Sequence, residues 1–570
     1  MYDVVISGGT VFDGSGTPGK QADIAITGKK IAGIGDFSSA ESHQRIDASG
    51  CIVTPGWVDV HTHYDGQATW DPILAPSSWH GVTTAVMGNC GVGFAPVRPG
   101  KEQFLIELME GVEDIPGSAL AEGMNWNWET FSEYLDTLES MPRAIDIATQ
   151  VPHAAVRNYV MGDRCNTDAQ PTAVELQEMA TIVREGMEAG ALGFSTSRTL
   201  LHKDKHGVEM PGTFAPTEEM RALGGALKGL DHGVFELVSD HLGEESEWEW
   251  VCEVGKETGR PITVVWTSAE AFKGDQFIAL AEDAEKKGIK VMPQIAGRPT
   301  GILHGLQSSF HIFVGHPTYI ESIAPLALDE QIAKLATPAI KAQILAETSL
   351  LETSPFGVSW RSLLQYVFPL GEKPDYEPPQ EQSIAGIAKT EGRDPFDVMY
   401  DLLIADGGKE LFYQPLNAYE NYDFSFFESV LSHPGVMFGL SDGGAHCGVI
   451  ADAGMPSFIL THWCRDRARG PQLPLELMIK KLSHDTATAY GMPDRGLLAE
   501  GYMADVNVID FEKMQLRRPT AEYDLPAGGR RLLQRVDGYR YTLKSGVTTF
   551  IDGEHTGALP GTLVRGGKAA

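Results

Sequence analysis

The sequence predicts an α/β protein: a (β/α)8 barrel of the TIM type, with a small β-sandwich built from both chain ends and a large insertion near the barrel mouth. Three observations carry this. Short β-branched runs alternate with helix-period segments through the middle of the chain, which implies a parallel sheet. Some eight such units favour closure into a barrel over an open sheet. The two ends follow another rhythm, alternating apolar and polar residues between Gly-rich turns, as small antiparallel strands do.

At the N-terminus this rhythm runs through YDVVISGGTVFDGSG and ADIAITGKKIAGIGD, and at the far end through ADVNVID, YTLKSGVTTFIDGE and LPGTLVRGG. The shared pattern suggests one sandwich from 1–55 plus 495–570, with independent end domains as the alternative reading, and leaves 56–494 to the barrel. Barrel strands are read at 56–63, 81–87, 144–151, 191–197, 233–240, 261–268, 289–296 and 435–442. Helical stretches lie between several of them, for example VELQEMATIVREGMEAG before the fourth. The segment 297–434 is too long for a connection and contains helical patterns such as LDEQIAKLATPAIKAQILAE, so it reads as a lid or an oligomer contact. GSGTPG near the start lacks the strand-and-helix context of a nucleotide loop and reads as a turn. The Trp-rich stretches WNWETF and EWEWV read as packing.

Lys and Arg number 45 against 77 Asp and Glu, a net charge of −32. That balance argues against nucleic acid as a partner, because phosphate recognition needs positive charge. The six cysteines form no paired framework and read as reduced thiols of a cytoplasmic protein. Neither a basic-then-apolar leader nor a bilayer-length apolar run is visible, so no membrane role is expected. A small-molecule substrate and a homo-oligomer remain as partners.

The strongest chemical signal is VTPGWVDVHTHYDG. Residues two apart on a strand share a face, so Asp59, His61 and His63 point one way, with both histidines at the strand's C-terminal end, where barrels keep their active sites. Two such imidazoles can hold a metal ion, or can be interior histidines bonded to neighbours. In MGNCGVGFAP, Cys90 follows the second strand and could ligate as a thiolate or simply pack. GLSDGGAH ends the last strand; its Asp442 could ligate and take a proton from water, or could merely form an Asx turn. His446 and Cys447 lie just beyond. For a substrate carboxylate, Arg198 and Arg298 follow the fourth and seventh strands, with His153 and Arg157 after the third; either arginine could equally face solvent or pair with one of the chain's many carboxylates.

Together VTPGWVDVHTHYDG, GVTTAVMGNCGVGFAPV, GALGFSTS and the closing GLLAEGYMADVNVID resemble the amidohydrolase superfamily, and within it the D-aminoacylase (N-acyl-D-amino-acid deacylase) branch, over nearly the whole chain. The resemblance implies one or two zinc ions surrounded by the HxH pair, the Cys, a His at each of the fifth and sixth strand ends, and the final Asp. His61, His63, Cys90 and Asp442 match. The fifth strand instead places Val238 or Ser239 opposite the family histidine, with His241 displaced beyond it. The sixth places Thr267 and Ser268 there, and Ala269 near the family's substrate-contacting Lys. A carboxylated Lys on the fourth strand is also missing from ALGFSTS. The resemblance therefore implies one divalent ion, zinc by its ligands, with His241 or His153 as substitute donors, and a hydrolase cleaving a linear C–N amide bond of an N-acyl (D-)amino acid through Asp442 as general base and acid. Two alternatives stand beside it: cyclic amide or ester hydrolysis or another reaction on the same scaffold, and a metal-free binding or assembly protein.

Overall fold

A computed structural model describes residues 1–166, 169–266, 275–352 and 360–567. Both ends of the chain build one nine-stranded sheet. Tyr2–Val11 pairs antiparallel with Lys20–Thr27 and parallel with Ser42–Asp47 and Ile52–Pro55. Ile52–Pro55 in turn pairs antiparallel with Val506–Ile509, which leads to Tyr539–Lys544. The period-two pattern explains the pairing: Val4, Ile6, Ile24, Ile26, Val506, Val508 and Leu543 bury one shared apolar core.

The middle of the chain forms parallel strands in two sheets. Trp57–Asp59, Val82–Met87 and Asp146–Thr149 make one. Val151–Pro152, Gly193–Arg198, Val234–Ser239, Ile262–Val265, Val291–Ile295 and Met437–Phe438 make the other, in sequence order. The two sheets are joined at both margins. At one, Asp146–Thr149 and Val151–Pro152 are separated by a single residue. At the other, Thr62 bridges Gly443 in parallel, His63 N–H donates to Gly443 O at 2.8 Å, and Asp442 N–H donates to His61 O at 3.2 Å. The ends of the first and last parallel strands are thereby held side by side.

Within 297–434 lies a small antiparallel sheet of Gly301–His304, Phe412–Pro415 and Phe368–Pro369. It adjoins a separate apolar core, to which Ile312, Phe313, Ile323, Ile344, Met399 and Tyr400 contribute. All six cysteines are free thiols. Among the described residues no helix is long and apolar enough to cross a membrane.

Candidate metal centre

His61 and His63 leave the end of Trp57–Asp59 together, fully buried, and Cys90 lies beside them. One ligand atom from each of the three falls within 4.8 Å of the others. Asp442 completes the group, its Oδ1 lying 3.5 Å from His61 Nε2 and 3.7 Å from His63 Nε2. Cys90 Sγ is 3.3 Å from His61 Nε2.

Local backbone explains how these side chains meet. In the turn after Val82–Met87, Gly88, Cys90 and Gly91 all take left-handed φ values of 76°, 54° and 72°. A Cβ on Gly88 would lie 2.5 Å from Gln150 O, so only glycine fits there. Asn89 pins the turn by donating to Thr62 O at 3.1 Å and Val86 O at 3.0 Å. Asp442 is likewise left-handed, at φ 49°.

The imidazoles are oriented from behind. His61 Nδ1 meets Gln294 Oε1 at 2.9 Å, and Gln294 Nε2 donates to the Tyr490 hydroxyl at 3.1 Å. An amide oxygen only accepts, so His61 carries its proton on Nδ1 and turns the Nε2 lone pair toward Cys90 and Asp442. Glu113, the last residue of the helix Glu102–Glu113, places Oε1 3.4 Å from His63 Nδ1 and Oε2 3.6 Å from His446 Nε2.

Burial lowers His61 to about 4, which keeps it neutral, the form that ligates. Burial would lower His63 as well, but the charges of Glu113 and Asp442 outweigh it and lift that group to about 9. Burial opposes ionisation of Asp442, yet the hydrogen bond with His63 and the charge of that imidazolium hold it well below the carboxylate range. Burial pushes the Cys90 thiol well up. A cation held here takes Cys90 as a thiolate and His63 as a neutral imidazole, so its binding would release protons. Two imidazoles, a thiol and a carboxylate are the donor set that suits a zinc-like ion.

The other expected site residues lie elsewhere. His241 turns away from the cluster: it follows the strand end, its side chain is 42% exposed, and Nδ1 bonds Glu244 Oε1 at 2.9 Å. It is therefore not a substitute donor. Ser239 is also engaged, with Glu247 at 2.7 Å. His153 is buried as a structural link, with Nδ1 2.8 Å from Thr196 Oγ1 and Nε2 2.8 Å from Glu219 Oε1. The second of those contacts is shared, since Arg157 pairs with the same Glu219. Arg198 pairs with Glu247 at 2.9 Å, so its fork is already occupied. Arg298 is fully buried, pairs with Asp452 at 2.6 Å and stacks on Tyr376 at 3.8 Å. Thr267, Ser268 and Ala269 lie outside the described residues. Glu113 and Gln294 are not readable in the sequence, because each acts only through its tertiary position. Asn89, in the GNCG turn, had a local signal.

The family described as the amidohydrolase family matches residues 44–550. A D-aminoacylase of Alcaligenes xylosoxydans xylosoxydans is 28% identical over 89% of this chain and 88% of its own length. An N-acyl-D-aspartate deacylase of the same organism is 26% identical over 100% of this chain and 96% of its own. Among solved structures, a D-aminoacylase superposes with a TM-score of 0.65 at 24% identity, covering 99% of this chain and 100% of that one. An N-acyl-D-glutamate deacylase from Bordetella bronchiseptica, complexed with zinc and a phosphonate mimic of the tetrahedral intermediate, gives 0.63 at 23% identity, covering 99% of each. These two likenesses speak to the fold. The family match leaves only the extremities of the sequence outside it, and the chain belongs to the amidohydrolase family.

Proposed function

We propose that this chain is a metal-dependent hydrolase that cleaves the linear amide bond of an N-acyl (D-)amino acid, with a single zinc-like ion sufficient for the chemistry. The observation that carries the reading is the convergence of His61, His63 and Cys90 within 4.8 Å, with Asp442 beside both imidazoles. His61, His63, Cys90 and Asp442 would hold the ion. An ion so held would supply Lewis acidity toward an amide carbonyl and would bring the pKa of a bound water to about 7. Asp442 accepts a proton from the attacking water and returns it to the departing nitrogen, so that water and amide become carboxylic acid and amine, which part as carboxylate and ammonium. Gln294 keeps His61 in the ligating tautomer, and the Glu113 carboxylate lies behind His63 as an opposite charge.

The scaffold proposed for this chemistry has the two parallel sheets closing as one eight-stranded barrel over 56–494. The terminal sheet, 1–55 with 495–570, forms a sandwich around its own core, and 297–434 lies over the mouth. The bridge between Thr62 and Gly443 supports that closure. The D-acyl substrate is supported by the deacylase relatives.

A second reading follows from Arg198 and Arg298, both committed to carboxylates of the chain itself. Such a site would suit a neutral cyclic amide or an ester. Zinc-loaded protein assayed on N-acetyl-D-amino acids, their L-enantiomers, a hydantoin and an ester separates the two. Turnover of the D-series supports the first reading, and turnover confined to the cyclic amide or ester replaces it with the second.

A further inference from the structure

Those roles leave one carboxylate of the site unemployed. Glu236 stands in mid-strand on Val234–Ser239, in register with Ser195 on one neighbouring strand and Thr263 on the other. Register partners in parallel strands present side chains to the same face. Ser195 donates toward Gly88 O and accepts from Gly91 N–H, so that face is the one turned to the Cys90 turn. Glu236 is fully buried. Its Oε2 accepts the Cys90 N–H at 3.0 Å, while Oε1 is buried with no partner, as is Thr263 Oγ1.

A buried carboxylate oxygen without a donor is costly, and such groups are ordinarily paired or bound to a cation. Among the charges Glu236 feels most are His63, Glu113 and Asp442, two of them of its own sign. Strand five offers the cluster no imidazole, since Ser239 is engaged and His241 is turned outward. Glu236, by contrast, already accepts the Cys90 backbone N–H.

Resting on the metal reading of the site, we propose that the Glu236 carboxylate is a direct donor to the divalent cation held at His61, His63, Cys90 and Asp442, approaching from the Cys90 side. A mid-strand carboxylate thus supplies the donor that the end of strand five lacks. Mixed nitrogen, sulfur and oxygen ligation suits zinc and cobalt alike.

Glu236→Gln is the variant to read. Its amide oxygen still accepts the Cys90 N–H at unchanged volume, so a purely structural role survives, whereas an amide is a far poorer metal donor. Cobalt(II) is titrated into metal-stripped protein against a competing chelator, and the ligand-field and sulfur-to-cobalt bands are recorded. The expected result is binding weaker by about tenfold or more, displaced ligand-field bands, a retained sulfur band and an unchanged thermal midpoint without metal. Unchanged affinity and spectrum would overturn the assignment. Should Glu236→Gln fail to fold, a structure of the metal-loaded wild type decides instead: a Glu236 oxygen about 2.0–2.2 Å from the ion supports the assignment, and one held beyond bonding distance overturns it. Failure of the metal reading looks different: wild type binds no cobalt, or His61→Ala/His63→Ala binds it as well as wild type.

Discussion

Asp442 is held between two imidazoles, 3.5 Å and 3.7 Å away, in a left-handed backbone conformation that aims its carboxylate at them. A group so placed can move a proton between water and a leaving nitrogen. Asp442→Asn therefore lowers kcat and kcat/KM together, by about 10²–10⁴. Steady-state kinetics checked against metal content measures this, and an unchanged kcat in metal-loaded variant contradicts the role. His61, His63, Cys90 and Asp442 were legible because each sits in a short local signature: a period-two pair at a strand end, a glycine turn, a Ser-Asp-Gly turn. Glu113, Gln294 and Glu236 were not. Glu113 ends a helix in the long connection after the second strand, and nothing along the sequence places that helix terminus behind His63. His241 misled for the converse reason, since adjacency to a strand end does not fix which way a turn residue points.

At the scale of elements, the expected barrel strands all fall on observed parallel strands, because runs rich in β-branched residues buried on both faces leave few other solutions. The segment 297–434 was legible as a helix-containing insertion, too long for a connection, but not as a unit with its own core. Its separate core depends on contacts such as Phe313 with Tyr400, far apart in sequence. A buried histidine tests that element. His304, on Gly301–His304, bonds Gln414 at 2.7 Å across the strand pair, and burial lowers it to about 4. Its unfolded counterpart titrates near 6.5, so between pH 6.5 and 4 the unfolded chain takes up a proton that the folded one refuses. The stability His304 confers by staying neutral is complete above 6.5 and is lost as the pH falls through that window. The stability difference between wild type and His304→Gln therefore moves in favour of the variant by about 2 kcal/mol from pH 7 to pH 5. Urea midpoints at the two values measure it. A difference that stays constant would mean the imidazole titrates in the fold as it does in the unfolded chain.

For the whole molecule, the terminal sheet and the parallel strands are tied by charges that neither could bury alone. Lys544 Nζ lies 2.6 Å from Asp146 Oδ2 and 2.7 Å from Asp505 Oδ2, and Arg495 Nη1 lies 2.6 Å from the same Asp146 oxygen. All four residues are buried. Lys544→Met strands Asp505 without its cation and costs about 3–5 kcal/mol; a denaturant midpoint close to wild type would show the two parts to be independent. The sequence suggested that the two ends share a domain, because they share a pattern, but not that they are clamped to the third parallel strand. This assembly holds the four donors of the metal centre in place. The most direct measurement is metal per chain on protein purified without added metal, for wild type and for His61→Ala/His63→Ala. The account predicts about one equivalent of a zinc-like ion in wild type and its loss in the double variant. Protein that holds no metal and gains no hydrolytic activity on adding zinc would contradict it.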